Sequence, residues 1–152
     1  MSTAVNVLGQ TQNNGSQFIT LVAAAVPVAI NYTLSVTQSG ATVLVPSNGA
    51  SLVTITLPAV ANAAGCNFKV IIKGAVAAGT VIVTTGTGTP AIFQGNSVIN
   101  ATPTPQIGGN TITFINTTVA SSYVELFSDG VDWNFKALSN SNLAAAITLT
   151  TA

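Results

Sequence analysis

The sequence predicts an all-β fold: a single β-sandwich or jelly-roll-like barrel of about nine short strands, with extended N- and C-terminal arms. Three observations point there. Val, Ile, Thr and aromatic residues, which favour strands, recur in runs that alternate with period two. Gly, Pro and Asn clusters punctuate those runs about every 8 to 12 residues. No segment keeps the 3.6-residue apolar period long enough to supply the crossover helices of βαβ units.

The elements follow in order. Residues 1–17 are polar and short of apolar anchors, and read as an N-terminal arm. The β domain spans 18–138. Phe18 to Val26 and Ile30 to Gln38 are candidate strands around Pro27. Ala41 to Pro46 and Ser51 to Leu57 flank Ser47-Asn48-Gly49-Ala50, and Asn-Gly between two apolar runs signals a hairpin because both residues tolerate positive φ. From Pro58 to Gly65 the β pattern lapses. Proline suits the first turn of a helix and glycine its end, so one short helical turn is expected. Cys66 to Lys73 resumes the strand text, with Cys66, Phe68, Val70 and Ile72 facing one way. Thr80 to Thr85, Ile92 to Asn100 and Asn110 to Asn116 follow, separated by the loops GTGTP and ATPTPQIGG. Residues 139–152 form a C-terminal arm. Its Ile147-Thr148-Leu149-Thr150 is strand text suited to pairing with a neighbour's sheet. ATVLV and GTVIV are similar, but no exact internal repeat appears.

The best-defined element runs from Ser121 to Leu138. Asp129-Gly130 has the chemistry of a two-residue type I′ turn. That register sets Leu126 opposite Trp133 and Val124 opposite Phe135, on one apolar face. Tyr123, Glu125 and Phe127 share the other face with Lys136, Asn134 and Asp132. Glu125 and Lys136 become diagonal neighbours, an attraction of about 0.2–1 kcal/mol. A slip of one residue would bury the charges, so the register is specified. Trp133 is expected to anchor the core.

Charge is the unusual feature. Lys69, Lys73, Lys136, Glu125, Asp129 and Asp132 are the only ionised side chains, 4% of the 152 residues; ordinary soluble chains carry about 25%. Arg and His are absent. A neighbour can cover such a surface while stripping water from few ions, and interface cores are depleted of charge in the same way. Obligate assembly is therefore expected, against the plainer reading of a secreted monomer with a neutral surface. Three lysines cannot neutralise a phosphate backbone, so nucleic acid is not an expected partner. The longest apolar stretch, Phe18 to Ile30, has 13 residues, too few for a membrane span of about 20. No basic segment precedes it, so it does not read as a secretory signal.

Catalytic chemistry finds no constellation. General acid–base work needs a group that titrates near the working pH, and histidine is missing. Cys66 stands alone and reads as a small buried hydrophobe. Glu125, Asp129 and Asp132 lie on one hairpin, but a calcium loop spaces its acids more densely, and turn and strand positions account for them. Lys69 or Lys73 could join an isopeptide crosslink only if buried beside an Asn with Glu125 as proton shuttle; a lysine reaching water is the simpler reading. Asn14, Asn31, Asn100 and Asn116 begin glycosylation sequons that arise by chance in so Asn- and Thr-rich a chain. No catalytic, cofactor-binding or metal-binding residue is assigned.

Three stretches, ATVLVP, VTITLPAVANAAGCNFKVII and NTITFINTTVASSYVELFSDGVDWNFKAL, occur in that order. They resemble a family of small virion proteins of tailed phages and large algal viruses. The shared text is a TLPA strand end, a glycine before an aromatic strand, and a closing hairpin VEL-x-SDG-x-x-W. The resemblance covers Ala41 to Leu138 and is most specific from Val124 to Trp133. It implies a β-rich, oligomeric virion component on a capsid surface or fibre, and it carries over no active site. The expectation is a capsid-associated decoration or minor capsid subunit, in the virion, binding copies of itself (a trimer or lattice) and other capsid proteins. The alternatives are a fibre or tail adhesin that binds a host glycan, and a non-viral self-assembling surface filament.

Overall fold

The computed structural model describes residues 7–13, 16–21, 29–46, 52–74, 76, 79–85, 92–115, 118–139, 141 and 146–150. Two mixed sheets pack face to face as an all-β sandwich. The larger contains β1 (Val7–Asn13), β2 (Ser16–Leu21), β4 (Thr42–Val45), β6 (Asn67–Ile72), β8 (Phe93–Ile99), β9 (Thr102–Gly109), β11 (Tyr123–Ser128) and β12 (Trp133–Ser139). The smaller contains β3 (Ile30–Thr33), β5 (Leu52–Thr56), β7 (Thr80–Thr84), β10 (Thr111–Phe114) and β13 (Ile147–Thr150). That makes thirteen described strands rather than about nine; the excess comes from segments read as arms and loops.

From β2 to β7 the chain changes sheet at every step, so each turn of chain lays one strand on each layer. β2, β4 and β6 lie side by side and parallel, as do β3, β5 and β7. Parallel neighbours need a long crossover, usually a helix. Here the strand in the opposite sheet is the crossover, and the coil resembles a short solenoid. The wiring repeats in detail. A 3-10 turn carries the chain from β3 to β4 (Val36–Gln38) and again from β5 to β6 (Val60–Asn62). Each leads to a glycine of positive φ, Gly40 at 87° and Gly65 at 79°. Leu34 donates to the Thr56 carbonyl and Leu57 to the Thr84 carbonyl, extending both strand pairs by one step. The later strands add to the same two layers: β10 and β11 run antiparallel to β7 and β6, and β12 and β13 flank them. A jelly roll is built from antiparallel Greek keys, so this parallel coil is a sandwich of another kind.

Alternation supplies the core. Ile19, Val43, Val70, Val124 and Ala137 from the larger sheet are fully buried, as are Ile55, Val81, Val83, Ile112 and Phe114 from the smaller. Each Val or Ile removed from water contributes about 1.5–3 kcal/mol before conformational entropy is subtracted. The inward phase predicted for Cys66, Phe68, Val70 and Ile72 is observed, and the helical turn expected between Pro58 and Gly65 is the second 3-10 turn.

Four expectations are corrected. First, β4 and β5 do not form a hairpin, since they lie in different sheets. Asn48 and Gly49 themselves fall outside the described residues. Second, the closing hairpin is present but slides by two residues. Ser128 faces Trp133, Leu126 faces Phe135 and Glu125 faces Lys136. The cause is a four-residue loop in place of the two-residue turn. Asp129 Oδ1 accepts from the Val131 and Asp132 amides at 2.8 and 2.7 Å, and Ser128 Oγ accepts from Gly130 at 3.2 Å. A slide of two keeps every side chain on its predicted face.

Third, ATPTPQIGG is not a loop. Residues Thr102–Gly109 form β9, whose prolines, Pro103 and Pro105, are tolerated because the strand lies at a sheet edge. Fourth, the described parts of both arms belong to the sandwich: Val7–Asn13 pairs with β2, and Ile147–Thr150 pairs with β10. The candidate strand from Phe18 ends at Leu21, and Val22 to Val28 lie outside the described residues. The strand from Ile30 ends at Thr33, short of Gln38.

Candidate functional site

The two outer faces present the side chains that alternation leaves over. On the larger sheet, β6, β11 and β12 are adjacent and bring together parts of the chain far apart in sequence. Lys69, Glu125 and Lys136 stand side by side in one row, and Asn67, Phe127 and Asn134 in the next. Lys69 Nζ lies 2.8 Å from Glu125 Oε1 and 4.5 Å from the centre of the Tyr123 ring, so one cation serves a carboxylate and an aromatic face. The pair is half-exposed, at 36% and 48% of side-chain surface, which limits its worth to about 0–1 kcal/mol. Lys136 is exposed and forms no ion pair among the described residues. Phe127 is 49% exposed at the middle of the sheet. These six side chains, with Gly40 and Ala41 at one rim, line an open groove of about 470 Å³.

The smaller sheet has a different outer face. In register across all five strands run Thr33, Thr56, Thr84, Thr111 and Thr150, and beside them Asn31, Thr54, Ile82, Thr113 and Thr148. No strand of this sheet carries a charged residue. β-branched threonine suits the pleated surface; Thr111 is itself buried, while Thr33 and Thr150 at the two ends of its row are exposed.

The edges differ as well. β9 presents two prolines, a device that blunts strand addition. Its last residue, Gly109, presses against β13: a Cβ there would meet the Leu149 side chain at 2.5 Å. At the far end, the edge strands β1 (VLGQTQN) and β3 (INYT) contain neither proline nor charge.

The residues weighed from sequence are dispersed. Glu125 serves Lys69. Asp129 shapes the hairpin loop, and its pKa lies below the ordinary value of 3.8 because the Asp132 and Val131 amides, and then the Asn134 side chain, favour the ionised form. Asp132 accepts from the Ile92 amide at 3.2 Å and from Gln94 Nε2 at 2.6 Å, tying the loop to the start of β8. Among the described residues no three His, Cys, Asp or Glu side chains gather at a metal-binding distance. Lys69 is part-exposed and ion-paired, and Lys73 is exposed, so neither has the buried setting a crosslink needs. Cys66 is buried, with Sγ 4.0 Å from the Val36 carbonyl. Asn31 and Asn100 are exposed; Asn14 and Asn116 lie outside the described residues. No described helix is long and apolar enough to cross a membrane.

The groove and the threonine rows escaped the sequence reading, since both need the strand order. The available signal was that Lys69, Glu125 and Lys136 all fall in the outward phase of their strands. Against family models, curated proteins and solved structures alike, the chain finds no match.

Proposed function

We propose that the chain is a structural subunit of a virus particle, a capsid-associated decoration or minor capsid protein that packs against copies of itself. The observation that carries the reading is the outer face of the smaller sheet, five strands wide and without one charge. A neighbour covers such a face at little desolvation cost, and its hydroxyl and methyl groups suit a second copy of the same face. The virion part rests on the resemblance of Val124 to Trp133 and the text before it to small virion proteins.

The assembly is a homo-oligomer, a trimer or a ring or lattice built from one. Light scattering of the purified chain tests it, with Thr113→Lys as the probe. The lysine adds a charge to the neutral face on β10, so assembly is lost while the circular-dichroism spectrum stays that of the folded parent chain. The melting temperature falls by what the subunit contact contributed. A parent chain that stays monomeric at high concentration overturns the reading. Mass spectrometry of purified particles tests the location. Absence from any virion removes the capsid role, and presence only in fibres or tails favours the adhesin.

A further inference from the structure

We propose that the groove on the larger sheet binds an acidic saccharide, a sugar chain that carries carboxylate groups. Phe127 gives the first reason. Water-facing positions on a central strand are ordinarily polar, yet this ring is 49% exposed. An exposed ring is a flat apolar platform, and the C–H face of a pyranose can lie on it while the sugar hydroxyls stay hydrated. The flanking amides give the second. Asn67 and Asn134 stand in register on either side of Phe127. Each amide both donates and accepts, as a sugar hydroxyl does. Asn134 already donates one Nδ2–H to Asp129 Oδ2 at 3.3 Å, which leaves its Oδ1 to accept from a sugar hydroxyl. Asn67 offers donor and acceptor on the other side of a ring that rests on the aromatic platform between them.

Charge gives the third reason. Glu125 engages Lys69, which also lies against Tyr123. Lys136, in the same row, is left as a cation facing the groove with no partner among the described residues. The row therefore carries a net positive charge in a chain that otherwise places almost no charge on its strands. An anionic group from outside is its complement. A protein partner fits less well. Interface cores are dry and poor in charge, and covering the half-exposed Lys69–Glu125 pair would strip it of water. A saccharide leaves that water in place as bridges. The inference concerns the single chain and stands whether or not the chain assembles.

The test is a titration of the isotope-labelled full chain, followed by amide NMR. The probes are trigalacturonate, neutral maltotriose and an acidic Glu-Gly peptide. Trigalacturonate is expected to shift residues 67–69, 125–127 and 134–136, to bind more tightly than maltotriose, and to weaken with added salt. Lys136→Gln should lower its affinity about tenfold or more and remove most of the salt dependence. Phe127→Ser should weaken both sugars. Both substitutions are at water-facing positions, and unchanged melting curves establish that the fold persists. The proposal is overturned if trigalacturonate shifts nothing in these strands at millimolar concentration, if Lys136→Gln binds it like the parent chain, or if the peptide occupies the groove more tightly than either sugar.

Discussion

The outer face of the larger sheet and the outer face of the smaller sheet arise from the same alternation, yet they share little chemistry. One carries Lys69, Glu125 and Lys136 around an exposed phenylalanine. The other carries rows of threonine and no charge. Three of the six charged side chains thus occupy one patch, and the rest lie in the hairpin loop or just beyond β6. The core cannot explain this, because both sheets bury the same kinds of aliphatic residue against each other. The difference teaches that the fold is specified inward while the work of the surface is divided outward. In the proposed assembly the neutral side is the one covered and the charged side the one left wet.

Removing the shared core should abolish the comparison altogether. Trp133 is fully buried, with its ring 5.9 Å from that of Phe68. Trp133→Ala is expected to cost about 3–5 kcal/mol and to leave no soluble folded chain, as judged by denaturant unfolding. A variant that melts like the parent would show that the indole is not an anchor.

Damage to one sheet alone should be smaller. Gly95 on β8 faces the Phe135 carbonyl so closely that a Cβ would collide with backbone, which cannot swing aside. Gly95→Ala should cost about 1–3 kcal/mol and loosen β8 and β9 while the smaller sheet keeps its protection in hydrogen exchange. Equal loss of protection in both sheets would show that the two layers unfold as one.

The charged patch itself adds little stability. Glu125→Gln removes the half-exposed ion pair with Lys69 and should change unfolding free energy by about 0–1 kcal/mol. A larger loss would mean that the patch is structural rather than available to a ligand. The smallest effect belongs to Asp129. Its lowered pKa makes the hairpin loop more stable when the carboxylate is ionised. That contribution is complete above the unfolded value of about 4 and is lost as pH falls through the lowered folded value. Acid titration of the Val131 and Asp132 amide resonances should show the loss, and Asp129→Asn should abolish it.

How far the text of the chain reveals this arrangement depends on whether a feature is local. The inward phase of Cys66, Phe68, Val70 and Ile72 was legible, as were both faces of the closing hairpin, because alternation fixes them without reference to a partner. The 3-10 turn after Pro58 was legible from its punctuation. Sheet membership was not. Asn48-Gly49 carries the chemistry of a hairpin turn, yet its flanking strands pair with β6 and β2 on one side and with β7 and β3 on the other. Nothing near the turn encodes those distant partners. ATVLV and GTVIV illustrate the same limit. They are alike because both are buried strands, but they lie in different sheets. The threonine rows and the groove exist only once the strands are ordered, so neither could be read from spacing alone.

The central claim is that the neutral face is covered in the assembled protein and the charged face is open. A cryo-EM reconstruction of the assembled form decides it most directly. The account predicts Thr54, Thr113 and Thr148 within a subunit contact, with Lys69, Glu125, Phe127 and Lys136 facing solvent. A reconstruction with the charged groove buried between subunits and the threonine rows exposed would contradict it.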